Sequence, residues 1–200
     1  MTAALDRATF YAAARKAPFS GSLTQSQVDG MNAMLDMAPP LMGTMELAYC
    51  FATAHHETGG AMVPRVENLT YTTASRIKAV WPSGTKRLRE IGYLTADQDL
   101  EKTPTLMLNP DIAAAMLFVV LSEGWYSGLK LSQFFGPGLE NPAGARKMVN
   151  PDDNGTAIAV TYRAFVNALR AAGHEPGAVT TIIPVPPFET APMKPPVIAT

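Results

Sequence analysis

The chain has 200 residues, enough for one domain with a substantial core, and 47% of them are hydrophobic against 16% charged. A net charge of −1 gives no overall drive toward nucleic acid or an anionic membrane surface. The single cysteine, Cys50, excludes an internal disulfide framework, and its apolar neighbours predict a buried, inert thiol.

Residues Met1 to Ala8 lack the basic and apolar regions of a signal peptide. The most apolar run, Ile112 to Leu121, is too short to cross a bilayer as a helix. The expected product is therefore soluble and made in the cytoplasm, without stable membrane insertion.

Helical signals then follow in chain order. Asp6 can cap a first helix carrying Phe10, Tyr11 and Ala14. Thr24 and Gln27 have capping-box spacing for a second, with Val28, Met31, Met34 and Leu35 on one face, and Pro39-Pro40 stops it. Thr44 can cap a third helix through Leu47, Cys50, Phe51 and Ala54, broken by Gly59-Gly60 just after Glu57. Thr72 or Thr73 starts a short helix through Ile77 and Val80, halted at Trp81-Pro82, and residues 83–108 read as less regular.

Asn109-Pro110-Asp111 is a strong helix start, and the segment to Glu123 is apolar nearly all round, as befits the middle of a bundle. Gly124 ends it. A short Leu131–Phe135 helix and a Gly/Pro-rich loop come next, and a last helix at 155–172 buries Ile158, Tyr162, Phe165 and Leu169. From His174 onward the Pro-rich composition predicts an extended tail, although 182–187 has the pattern of a strap or short strand.

Glu57 and Glu67 flank the Gly-rich break. An inverting glycosidase needs an acid and a base on opposite sides of a sugar bond, roughly 6.5–9.5 Å apart with room for a water. Ten residues of continuous helix would spread the pair by about 15 Å along the axis, whereas a helix end followed by a reversing loop can bring them close. Glu57 falls in a last helical turn, where the dipole and apolar neighbours both disfavour an anion. That suits a general acid.

His56-Glu57-Thr58-Gly59 followed by Glu67-Asn68-Leu69-Thr70-Tyr71 resembles the catalytic stretch of the family-19 glycoside hydrolase (chitinase-like) superfamily, in its phage endolysin type. Gly21 to Gly30, Asn109 to Ala114, Gly124 to Leu131 and Ala145-Arg146-Lys147-Met148-Val149-Asn150 are similar to further blocks of those endolysins, in the same order, over about residues 8–172. The resemblance implies a mainly α, lysozyme-like single domain of about seven helices, spanning 1–173, with the tail at 174–200. By position Glu57 would be the general acid and Glu67 the general base that activates water. His56, Asn68, Thr70, Tyr71 and Asn150 would contact the sugar or line the cleft, with a structural role as the alternative for His56, Asn68 and Thr70.

Trp125 and Tyr126 read as core rather than sugar platform. Lys130 and Arg146 read as solvated surface, with an acidic stem peptide as the other option. His55, His56 and Glu57 lack the His-Glu-x-x-His spacing of a zinc protease, so neither metal nor cofactor is expected. The implied activity is hydrolysis of β-1,4 bonds between amino sugars of peptidoglycan. The implied protein is a monomer that waits in the host cytoplasm and reaches the cell wall with the help of a holin.

The chain departs from the family in one place. Between Glu67 and Asn109 it lacks the Gly-Arg-Gly-(Tyr/Phe/Leu)-(Val/Ile)-Gln-Leu-Thr segment that supplies one cleft wall. This leaves two readings open: an active glycosidase, or a catalytically inactive glycan-binding or phage structural protein.

Overall fold

The fold, taken from a computed structural model, is described for residues 5–64, 83–151 and 155–174. It is mainly α, with seven α-helices among the described residues and one two-stranded sheet. None of those helices is long and apolar enough to cross a membrane.

Helix starts are set by local chemistry. Asp6 caps α1 (Arg7–Lys16), its carboxylate accepting from the Ala8 and Thr9 amides at 3.0 and 3.2 Å. The expected capping box opens α2 (Gln25–Met37), with Thr24 Oγ1 accepting from the Gln27 amide and Gln27 Oε1 from the Thr24 amide. For α3 (Thr44–Glu57) the cap is Gly43 rather than Thr44, and Glu46 accepts the Gly43 amide at 3.1 Å. The Thr44 hydroxyl meets His174 Nδ1 at 2.8 Å instead, tying the start of α3 to the end of the last helix.

The stretch expected to be irregular is more ordered than its mixed charge suggests. Helix α4 covers residues 83–90 and a 3₁₀ turn covers Pro104–Leu108. Leu88, Leu94 and Leu100 are buried here, and because they come from a helix, a turn and a loop they show no common period. Buried Thr85 accepts the Leu100 amide at 3.0 Å and holds helix and loop together.

Helix α5 (Pro110–Glu123) starts at the Asn109 cap and stops at Gly124, whose φ of 76° is left-handed. It serves two cores. Ala114, Phe118 and Leu121 face the main one, while Ile112, Ala115, Met116, Val119 and Val120 face a smaller one built with Leu88, Leu94 and Leu100. An all-round apolar helix is what such a dividing position requires.

The expected helix at Leu131–Phe135 is shorter. Leu131–Gln133 forms a 3₁₀ turn, and Phe135–Gly136 (β1) pairs antiparallel with Leu139–Glu140 (β2). Gly138, at φ 74°, makes the reversal between the strands possible. Next come α6 (Pro142–Ala145), a 3₁₀ turn Arg146–Met148, and α7 (Thr156–Ala171).

Helix α3 packs along α7, α1 also packs on α7, and α2 packs on α5. Phe51 joins Phe10 and Phe165 at centroid distances of 5.5 and 5.1 Å in the middle of the main core. Cys50 is buried, and burial pushes its thiol far above the ordinary range, as expected of an inert cysteine. His174 is held by the Leu169 carbonyl as well as by Thr44, so the packed body runs through His174. The expected helix at 72–80 and the tail beyond 174 lie outside the described residues.

Candidate functional site

Glu57 closes α3, and the loop that follows is fastened at several points. Gly59 and Gly60, at φ 59° and 82°, turn the chain away from the helix axis. Thr58 Oγ1 donates to the Ala54 carbonyl at 2.7 Å and accepts the Met62 amide at 2.9 Å. Met62 takes a left-handed φ of 62°, uncommon for a side chain of its size. Gln27 Nε2 donates to the Gly60 carbonyl at 2.9 Å.

Gly30 explains how the loop comes so close to α2. A Cβ there would lie 1.9 Å from the Met62 carbonyl oxygen. Glycine inside a helix costs about 1 kcal/mol relative to alanine, and here it leaves the space into which the loop backbone fits.

The Glu57 carboxylate accepts from Arg146 Nη1 at 2.5 Å. The arginine side chain is 5% exposed and the glutamate 46%, so a buried cation holds a carboxylate that still faces water. Arg146 is thus neither solvated surface nor turned toward a stem peptide, a correction to the sequence expectation. Its placement follows from local structure. Asn141 caps α6 by accepting the Gly144 amide at 2.8 Å, Pro142 fills the first helical position, and Ala145 and Met148 on either side are buried. The Asn-Pro pair at 141–142 repeats the helix-start signature of Asn109-Pro110 and was the available signal for an ordered turn at Arg146.

Other groups gather around the pair. Tyr126 is 45% exposed and so is not core. Protein crowding of its hydroxyl, followed by the Glu57 charge, pushes its pKa up, which places the phenol within reach of the carboxylate's field. Trp125 does pack against the smaller core, with Nε1 donating to Glu123 at 3.0 Å. Asn150 lies exposed just after the Arg146 turn, its amide donating to the Arg146 carbonyl at 2.9 Å. Ser127 Oγ donates to the Met148 carbonyl at 3.2 Å, joining the Tyr126 segment to the same turn. Lys130 is exposed.

His56 is exposed beside Glu57. His55 packs edge-on against Phe19 at 5.2 Å, and burial, then the neighbouring His56, lowers its pKa. Behind Glu57, Tyr49 and Thr53 fall on preceding turns of the same helix face. Among the described residues, no group of three or more His, Cys, Asp or Glu side chains could hold a metal ion.

The structure therefore brings Glu57, His56 and Asn150 to one neighbourhood and adds Arg146 and Tyr126, which sequence reasoning had placed elsewhere. Glu67, Asn68, Thr70 and Tyr71 lie outside the described residues. Comparison with protein-family models, curated proteins and solved structures gave no match to this chain.

Proposed function

We propose that the chain is a glycosidase that hydrolyses β-1,4 bonds between amino sugars of peptidoglycan by an inverting mechanism. Glu57 protonates the leaving glycosidic oxygen, and Glu67 removes a proton from the attacking water. The observation that supports this reading is the meeting of two separate motif blocks. The Glu57 end of α3 and the Arg146–Asn150 turn, far apart in sequence, come together around one half-exposed carboxylate. His56 and Asn150 stand beside it as sugar contacts. On this reading the enzyme acts on the wall after release from the host cytoplasm through a holin.

One observation favours the second reading, a non-catalytic glycan-binding or phage structural protein. The buried Arg146 guanidinium occupies one oxygen of Glu57, the same carboxyl that the glycosidase reading needs at the leaving oxygen. Turbidity loss on outer-membrane-permeabilised cells, with mass and anomer analysis of digested peptidoglycan, separates the two. A glycosidase releases fragments with a new, inverted reducing end. Intact peptidoglycan at every pH tried, with the protein co-sedimenting on it, removes the enzyme and leaves the binding protein.

A further inference from the structure

Tyr126 stands at the apex of a turn that the rest of the molecule holds from both sides. Gly124 and Gly128, at φ 76° and 79°, bend the chain back on itself, and the Gly128 amide donates to the Gly124 carbonyl at 2.8 Å. A Cβ on Gly124 would lie 2.9 Å from the Leu129 carbonyl oxygen, so the two ends of the turn touch. Trp125 packs against the smaller core and Leu129 against the main one. The indole Nε1 donates to Glu123 Oε2 at 3.0 Å, and Arg87 Nε donates to the other oxygen of that carboxylate at 2.7 Å. On the far side, Ser127 Oγ donates to the Met148 carbonyl at 3.2 Å, in the 3₁₀ turn whose Arg146 binds Glu57. Trp125 and Leu129 thus face the two cores, while Tyr126 between them stays 45% exposed. Its pKa is raised by the protein around its hydroxyl and then by the Glu57 charge, which agrees with a place beside that carboxylate. A lone exposed tyrosine is ordinary. A ring fixed on a pinned turn next to a fixed carboxylate is how binding surfaces are built, because little freedom is left to lose when a ligand settles.

Resting on the glycosidase reading for the choice of ligand, we propose that Tyr126 is a substrate-binding residue, a platform on which one N-acetylhexosamine ring of the glycan strand stacks beside Glu57. The chemistry suits a β-linked, gluco-configured pyranose. Its ring substituents lie equatorial, which leaves axial C–H groups on each face, polarised by the neighbouring oxygens. Those hydrogens meet the negative face of the tyrosine, as a ring edge does in an aromatic pair. Stacking fixes the plane of the sugar and leaves its rim of hydroxyl and acetamido groups to polar partners, with exposed His56 and Asn150 in the same neighbourhood. The Asn150 amide donates to the Arg146 carbonyl at 2.9 Å, so the 3₁₀ turn that anchors Ser127 anchors Asn150 too. Platform and rim contact therefore keep a constant spacing, as recognition of one sugar ring requires.

Binding of tetra-N-acetylchitotetraose is measured by calorimetry and NMR, on the Glu57→Gln chain so that the probe stays whole. Sugar ring protons should move upfield under the tyrosine ring current, and the Tyr126 ring resonances should shift with them. Adding Tyr126→Leu, which keeps apolar bulk without a π face, should weaken binding about 10-fold and abolish the upfield shift. Tyr126→Phe should bind as tyrosine does and keep the shift. Equal binding with leucine and tyrosine at this position, or no binding of the probe at all, overturns the proposal. Turnover by chains that keep Glu57 tells this failure from that of the reading beneath it. If the unsubstituted chain binds the probe through Tyr126 but leaves peptidoglycan intact, the glycosidase falls and the platform stands. If it cuts peptidoglycan and Tyr126→Leu does so with the same KM and kcat, the platform falls and the glycosidase stands.

Discussion

Glu57 and Arg146, from the last turn of α3 and the turn after α6, form an unequal pair: the cation is 5% exposed and the anion 46%. Removing either partner should therefore have different consequences. Glu57→Ala leaves a charge buried, whereas Arg146→Met leaves one that water can reach and fills the space with an apolar chain. We expect Glu57→Ala to cost about 2–3 kcal/mol and Arg146→Met about 1 kcal/mol or less, as read by urea unfolding at neutral pH. The reverse order would mean that the guanidinium stem, rather than its charge, is what the fold depends on.

Glu57→Gln separates chemistry from architecture. The amide oxygen can still accept from Arg146, but the group can no longer donate an acid proton. Turnover of peptidoglycan should fall by at least about 100-fold with the circular-dichroism spectrum and melting curve nearly unchanged. Retained turnover would take Glu57 out of the mechanism.

Gly30→Ala tests the seat of the loop after Glu57. The added methyl meets the Met62 carbonyl oxygen at 1.9 Å, and backbone atoms cannot step aside as a flexible side chain can. Despite the better helix propensity of alanine, we expect a net loss of about 2–4 kcal/mol and faster amide exchange at Met62. Gln27→Ala removes only the hydrogen bond to Gly60 and should cost about 1 kcal/mol.

Two histidines give the fold an acid sensitivity. Burial lowers the pKa of His174, and burial followed by the His56 charge lowers that of His55, both from an ordinary value of 6.5. A lowered histidine pKa means that the unfolded chain binds protons first. The stabilisation is then complete above about 6.5 and is lost as pH falls from there through the folded-state values. The melting temperature should drop between neutral and mildly acidic pH, and His174→Gln should flatten part of that slope. An unchanged slope would show that His174 is protonated as readily folded as unfolded.

Much of the helical frame was legible because it is written in short-range chemistry. The Asp6 and Asn109 caps, the Thr24–Gln27 box and the Gly59-Gly60 and Gly124 stops each act within a turn of chain, and each sits where its spacing predicts. What escaped was long-range. Leu88, Leu94 and Leu100 share no period because they share no element, and only the far face of α5 gives them a common purpose. Arg146 looked like surface because a charged side chain usually is; the carboxylate that makes its burial tolerable lies on a distant helix. Tyr126 misled in the opposite sense, because an aromatic just after a buried helix reads as core although it is exposed. The place of Glu57 at the end of α3 could thus be read from sequence, but not the cation that pairs with it.

The clasp of Thr44 and His174 has a neighbour in the Asp6 amide, which donates to the Ala172 carbonyl at 2.9 Å. The first and last described segments are thus adjacent. A body arranged in this way can be spliced into a surface loop of another protein, or rejoined across these ends and opened elsewhere, with little disturbance to α1, α3 and α7. The described part of the protein is, in engineering terms, an insertable cassette.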